Sequence, residues 1–163
     1  MRRAFTAVTA AVTLTLAVGA SPASAQTAPN QRVSITFVGG YTGVAVATGV
    51  INAVGVAQEQ STLSPDGSFV GTLTFRFALG TVVAPFTGQV TSVTVDPRTC
   101  TGRFTSVGTF TIASATGAYA GMSGQGSFTE EGMFNSLRTA NGCNPEPFIR
   151  TLLRTEATAV VRL

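Results

Sequence analysis

T116-G-A-Y-A-G-M-S-G-Q-G-S-F128 places four glycines, Gly117, Gly121, Gly124 and Gly126, within ten residues around a single tyrosine. A phosphate-binding loop would need such glycines at the end of a strand and the mouth of a helix, where backbone N–H groups and the helix dipole meet an anion. Here no lysine follows, and S127-F-T-E-E-G132 is too short and too glycine-bounded to begin a helix. A flexible linker fits poorly as well, because β-like sequence continues on both sides. The stretch reads instead as a structural turn between two strands, with Tyr119 packing over the end of a barrel and the glycines permitting positive φ and close backbone approach.

Outward from this turn the chain reads as strand and turn almost throughout. R32-V-S-I-T-F37 alternates, with Val33, Ile35 and Phe37 on one face. F69-V-G-T-L-T-F-R-F-A-L79 sets Phe69, Leu73, Phe75, Phe77 and Leu79 on one face and Arg76 on the other. R103 to I112 carries Phe104, Phe110 and Ile112 in one phase, and F148 to L163 points Ile149, Leu153, Ala157, Ala159 and Val161 inward, with Arg150, Arg154, Glu156 and Arg162 toward water. V44 to A57 is a long β-branched run in which Gly49 and Gly55 suggest bulges or close backbone approach. Pro85 places its run at an edge or a bulge. S64-P-D-G67 and N141-G142 mark turns. Gln26–Gln31 is a polar lead-in expected to fray. Seven or eight long strands rich in interior glycine predict a single all-β domain, an antiparallel β-barrel of about eight strands, with a β-sandwich as the alternative.

The first residues add a compartment. Arg2 and Arg3 precede an apolar stretch to Val18, and Ala23-Ser24-Ala25 ends it with a small-residue cleavage pattern. That order is a secretory leader, expected over 1–25 with the barrel over 26–163, and implies a secreted, extracellular protein without a membrane anchor in its mature form. Removing 25 of the 163 residues leaves 138, with eight arginines against seven acids. No basic patch for nucleic acid is visible. The chain has no histidine, so no Ser-His-Asp or Cys-His arrangement is available, and neither a metal site nor a cofactor is expected. Cys100 and Cys143, the only two cysteines, predict one disulfide in an oxidising compartment, worth roughly 4 kcal/mol by the loop-entropy argument.

The run T111-I-A-S-A-T-G-A-Y-A-G-M-S-G-Q-G-S-F-T129 resembles the strand–turn–strand segment of allene oxide cyclase-like and dirigent-like proteins, in which GTG-x-[YF]-x-x-[AG]-x-G joins two strands. Ala115 stands where that pattern has its first glycine, and V46 to G55 adds a weaker likeness. The resemblance implies an eight-stranded barrel, often trimeric, whose apolar lumen opens at one end. In the plant members that lumen shapes a reactive lipid epoxide or phenolic radical for ring closure or coupling. Their polar pocket residues have no residue-by-residue counterpart here, so no catalytic role is carried over.

A few side chains are candidates for chemistry or binding. Glu130 shares a phase with Phe128 and Phe134, and a carboxyl in an apolar lumen would have a raised pKa and could act as acid or base. The competing arrangement is a bulge near Gly132 that turns it outward. Glu59 and Arg103, at strand ends, could fringe a barrel mouth, or form surface pairs. Tyr41, beside Gly40, and Tyr119, two residues from Gly117 and Gly121, could contact a ligand at the rims, or simply pack. Three functions follow: a binder of a small apolar or aromatic molecule in the lumen, a cofactor-independent cyclase or coupling enzyme using the same lumen, or a packed barrel acting through its surface. Self-association, as a trimer, is an expectation from the resemblance alone.

Overall fold

The computed structural model describes residues 29–163, so the expected leader lies outside the described residues. Nine strands follow one another: β1 Gln31–Val38, β2 Thr42–Gly49, β3 Ala53–Leu63, β4 Ser68–Phe77, β5 Gly80–Val95, β6 Thr101–Thr111, the two-residue β7 Ser114–Ala115, β8 Ser123–Thr139 and β9 Gly142–Arg162. All pairings are antiparallel. β1 pairs with both β2 and β9, and β4 pairs with β5. The order β1-β2-β3-β4-β5-β6-β8-β9 therefore closes on itself as an eight-stranded barrel, with β7 added to β5. Closure rules out the sandwich.

Alternation sends apolar side chains into this ring. Ile35, Phe37, Ala45, Ala57, Leu153 and Val161 are among the buried core, and the outer face carries mainly threonine, serine and charged residues. The interior is filled by a repeated cross-strand pair. Phe37 lies opposite Gly43, Phe77 opposite Gly55, Phe86 opposite Gly71 and Phe69 opposite Gly88. Phe134 lies opposite Gly102, Phe104 opposite Gly132, Phe128 opposite Gly108 and Phe110 opposite Gly126. Each ring occupies the space a Cβ on its glycine would need. The isolated glycines thus mark close approach by an aromatic ring, and Gly55 sits in an unbroken register with no bulge. Fully burying a phenylalanine is worth about 1.5–3 kcal/mol, so these pairs supply much of the barrel's cohesion.

Local details follow from turn chemistry. The run 44–57 is two strands, separated at 50–52 by a turn. In the glycine-rich stretch Gly117 and Gly121 have φ of 65° and 87°, flanking a single 3₁₀ turn that folds Tyr119 inward. Gly124 and Gly126 belong instead to β8, pressed against the β9 backbone. Pro85 sits where β5 loses its neighbour, since β6 pairs from Phe86 onward and β7 pairs with Val82 and Val83. The disulfide Cys100–Cys143, with Cα atoms 5.3 Å apart, ties the β5–β6 turn to the start of β9.

Three expectations change. Leu79 is exposed in the β4–β5 turn rather than inward. In β9 the register shifts, Met133 pairing with Leu152 and Phe134 with Arg150. Thr151 is therefore an extra residue that inverts the phase: Ile149 is exposed and Arg150 points inward. The lead-in is anchored at its end, because the Asn30 side chain donates to Val161 O and accepts from Val161 N, both at 2.8 Å.

Gly108→Ala tests the aromatic–glycine rule. Its Cβ would meet both the Phe128 ring and the Thr87 carbonyl oxygen. A loss of about 1–3 kcal/mol is expected in chemical denaturation, whereas the same change at exposed Gly121, where nothing lies within 4 Å, costs only the strain of its positive φ.

Candidate functional site

The antiparallel order puts the turns at 39–41, 64–67, 96–100 and 140–141 at one end of the barrel, with the disulfide. The turns at 50–52 and 78–79 and the 112–122 segment lie at the other. Each end is closed differently.

At the second end Tyr119, Met122 and Ile51 are buried. Tyr119 meets Phe77 edge to face at 6.0 Å between ring centroids. Ile51 is held by Gln31: the Ile51 N–H donates to Gln31 Oε1 at 2.7 Å, and Gln31 Nε2 donates to the Ile51 and Thr48 carbonyls. Beneath this plug is a cavity of about 50 Å³, wholly apolar in its surface and lined by Phe75, Phe77, Phe110, Phe128, Met122 and Thr155 among others.

Deeper in, polar side chains form a layer across the lumen. Glu130 projects inward from β8, so no bulge at Gly132 turns it out. Its Oε2 accepts from Ser106 Oγ at 2.7 Å and its Oε1 from Thr155 Oγ1 at 3.0 Å. Burial pushes the Glu130 carboxyl above the ordinary glutamate range; the two hydroxyls oppose that rise, the Glu59 carboxylate adds to it and Arg150 counters it. Glu59, buried on β3, accepts from Arg150 Nη1 at 2.8 Å and from Ser61 Oγ at 2.6 Å. Arg150 also donates to the Gly40 carbonyl at 2.7 Å, and its guanidinium lies 5.2 Å from the Phe37 ring centroid and 4.7 Å from that of Tyr41. Among the described residues the buried Nε of Arg150 has no hydrogen-bond partner.

The candidates therefore separate. Glu130 and Glu59 both enter the lumen, and the Glu59 charge acts on Glu130. Tyr41 is exposed, lying over Arg150 at the disulfide end, and Tyr119 plugs the opposite end. Arg103 is exposed on the outer face of β6, away from the lumen. Arg150, Thr155, Ser106 and Gln31 were not among the candidates. Thr155 and Ser106 share the inward phase of Leu153 and Phe104 and could have been found by it. Arg150 could not, because the Thr151 bulge reverses its side. Chemically, the layer offers one carboxyl of raised pKa fixed by two hydroxyls, next to a charge-neutralised guanidinium.

Comparison of the chain with known protein families, curated proteins and solved structures finds no match. Among the described residues no helix is long and apolar enough to cross a membrane.

Two outcomes are expected of the polar layer. Glu59→Ala strands the Arg150 cation in a site where its side chain is 13% exposed; a loss of about 3–5 kcal/mol should appear in chemical denaturation, largely recovered in Glu59→Leu/Arg150→Met. For Glu130 the raised carboxyl means that the folded chain holds its proton more tightly than the unfolded chain. Its contribution to stability is therefore present at low pH and lost as pH rises through the folded value. Melting of wild type and Glu130→Gln across pH 4 to 8 should show the Gln variant gaining relative stability as pH rises; parallel curves would contradict this.

Proposed function

We propose that this chain binds a small apolar molecule, aliphatic or aromatic, inside its barrel. The observation that supports this most directly is the apolar cavity between the Tyr119 plug and the polar layer. An apolar void without hydrogen-bonding groups stays dry and takes apolar guests; one of about 150 Å³ accepts benzene. At about 50 Å³ this cavity as it stands suits only a few heavy atoms. Anything larger requires the plug to yield, and Met122, with its three flexible torsions, is the side chain best suited to do so. Entry is accordingly from the Tyr119 end.

A second reading, a cofactor-independent cyclase or coupling enzyme, draws on one further observation. Thr155 both lines the cavity and donates to Glu130, which sets a carboxyl of raised pKa one side chain behind the guest. There it could give or take a proton without metal or imidazole.

The experiment is an NMR titration of the methyl groups of Met122 and Ile51 with benzene and with cyclohexane. Saturable shifts confined to lumen residues are expected, stronger in Met122→Ala, which enlarges the cavity and should cost about 2–5 kcal/mol in stability. Absence of saturable shifts in both proteins would overturn the binding reading. If any guest is converted, Glu130→Gln should abolish turnover and leave its affinity unchanged.

A further inference from the structure

The polar layer leaves one carboxyl without a cation. Arg150 is committed to Glu59 at 2.8 Å, and Glu130 forms no ion pair among the described residues. Each Glu130 oxygen accepts one hydroxyl, from Ser106 or Thr155, and keeps further lone-pair capacity. Those hydroxyls are neutral, so they leave the charge of an ionised Glu130 without a counter-ion. No inward position of β1, β2, β4, β5 or β6 carries a titratable group. Glu59 from β3 and Arg150 from β9 are the charges that act on Glu130.

Glu130 is half-buried, and its remaining exposure opens toward the disulfide end. Its inward phase excludes the outer face. It also takes no part in lining the cavity beneath Tyr119, whose surface is wholly apolar. On the disulfide side of Glu130 the barrel mouth is walled by apolar side chains of inward phase. Val90 lies opposite Ser106 and Val93 opposite Phe104, and directly opposed residues share a face. Phe104 in turn lies opposite Gly132, two residues beyond Glu130, so its ring flanks the carboxyl. Val93 is nonetheless 57% exposed, and Leu63, opposite Phe69, is 44% exposed. Inward side chains left this open line a mouth, not a core. An apolar wall with a few polar groups at its base is the usual form of a small-molecule site.

We propose that this mouth binds a small organic ammonium ion, its N–H groups on Glu130 and its apolar body against Val90, Val93 and Phe104. A cation supplies the charge that Ser106 and Thr155 do not, and the Phe104 ring beside the carboxyl adds cation–π attraction. A carboxylate head would instead meet Glu130 and Glu59 together, and a neutral head would leave Glu130 without a counter-ion. Burial raises the Glu130 carboxyl above the ordinary glutamate range. The site therefore empties as pH falls through that raised value, because protonation removes the negative charge the ammonium needs. It lies across the polar layer from the Tyr119-side cavity and fills whether or not that cavity holds a guest.

NMR titration with benzylammonium chloride at about pH 8, reading the methyl groups of Val90, Val93 and Leu63, tests it. Saturable shifts are expected at these methyls and not at Met122 or Ile51. Benzyl alcohol, the same body with a neutral head, should bind at the mouth at least roughly tenfold more weakly. Glu130→Gln, which keeps the side-chain volume, should lose affinity for benzylammonium by about the same factor with its methyl spectrum otherwise intact. Lowering the pH to about 4 should weaken wild-type binding roughly tenfold or more and leave the residual binding of Glu130→Gln unchanged. The wild-type pH profile decides the matter even if the variant does not fold. Absence of saturable shifts at the mouth, equal affinity for the alcohol, or binding indifferent to pH overturns the proposal. Shifts confined to Met122 and Ile51 overturn it too, while supporting the cavity on the other side of the layer.

Discussion

The interior of an eight-stranded barrel is only just wide enough for side chains to fill it, and here, apart from Phe75, which lies opposite Ala57 and Val82, eight inward phenylalanines each require the strand beside them to give way. They find that room because the residue directly across is glycine in every case. The arrangement fixes register as well as volume. A slip of one residue on any of these strands would turn the ring outward and leave the glycine with nothing over it. The aromatics also touch one another, Phe86 meeting Phe128 edge to face at 5.8 Å and Phe69 meeting Phe86 at 6.0 Å, so the pairs on separate strands join into one packed interior.

That packing explains why so little empty space remains and where it lies. At the Tyr119 end Phe75, Phe77 and Phe110 share the lumen with small inward side chains, Ala47, Ala84, Ala159 and Val82. Smaller side chains on a ring of fixed circumference leave a void, and the turns at that end fold Ile51, Met122 and Tyr119 over it. The cavity is thus the space these small inward residues leave between the rings. Gln31 contributes by a different route: its amide is committed to backbone atoms of Arg32, Thr48 and Ile51, so it holds the plug in place without presenting a polar group to the void.

Much of this was legible from alternation. Val33, Ile35 and Phe37, the inward Glu130, the Tyr119 turn and the Cys100–Cys143 bridge all follow from period two, turn residues and cysteine count. The parts that escaped share a cause, since they depend on pairing between residues distant in sequence. The Thr151 bulge exists only relative to β8 and carries no mark of its own, yet it decides that Arg150 faces Glu59 rather than water. Asn30 and Gln31 look like a fraying lead-in until β9 is placed beside them, 131 residues from Asn30 at Val161. The Phe–Gly rule is likewise invisible until register brings the partners together, although its ingredients, abundant phenylalanine and glycine at inward phase, stand in the sequence.

The buried charges then raise a question of energetics, because an apolar barrel gains little from holding an ion pair. A buried pair is often no more stabilising than well-packed hydrocarbon of the same volume, and the Arg150 Nε without a partner makes this one less favourable still. What the pair does accomplish is closure. Phenylalanine and tyrosine rings on the guanidinium and the Gly40 carbonyl connect β1, the β1–β2 turn, β3 and β9 across the disulfide end, where the bulge has interrupted regular pairing. Its field also acts on Glu130, with Glu59 and Arg150 pulling in opposite senses. Loss of Glu59 would leave Arg150 to favour ionisation of Glu130, and loss of Arg150 would do the reverse. The two charges thus modulate a carboxyl whose proton affinity burial has already raised.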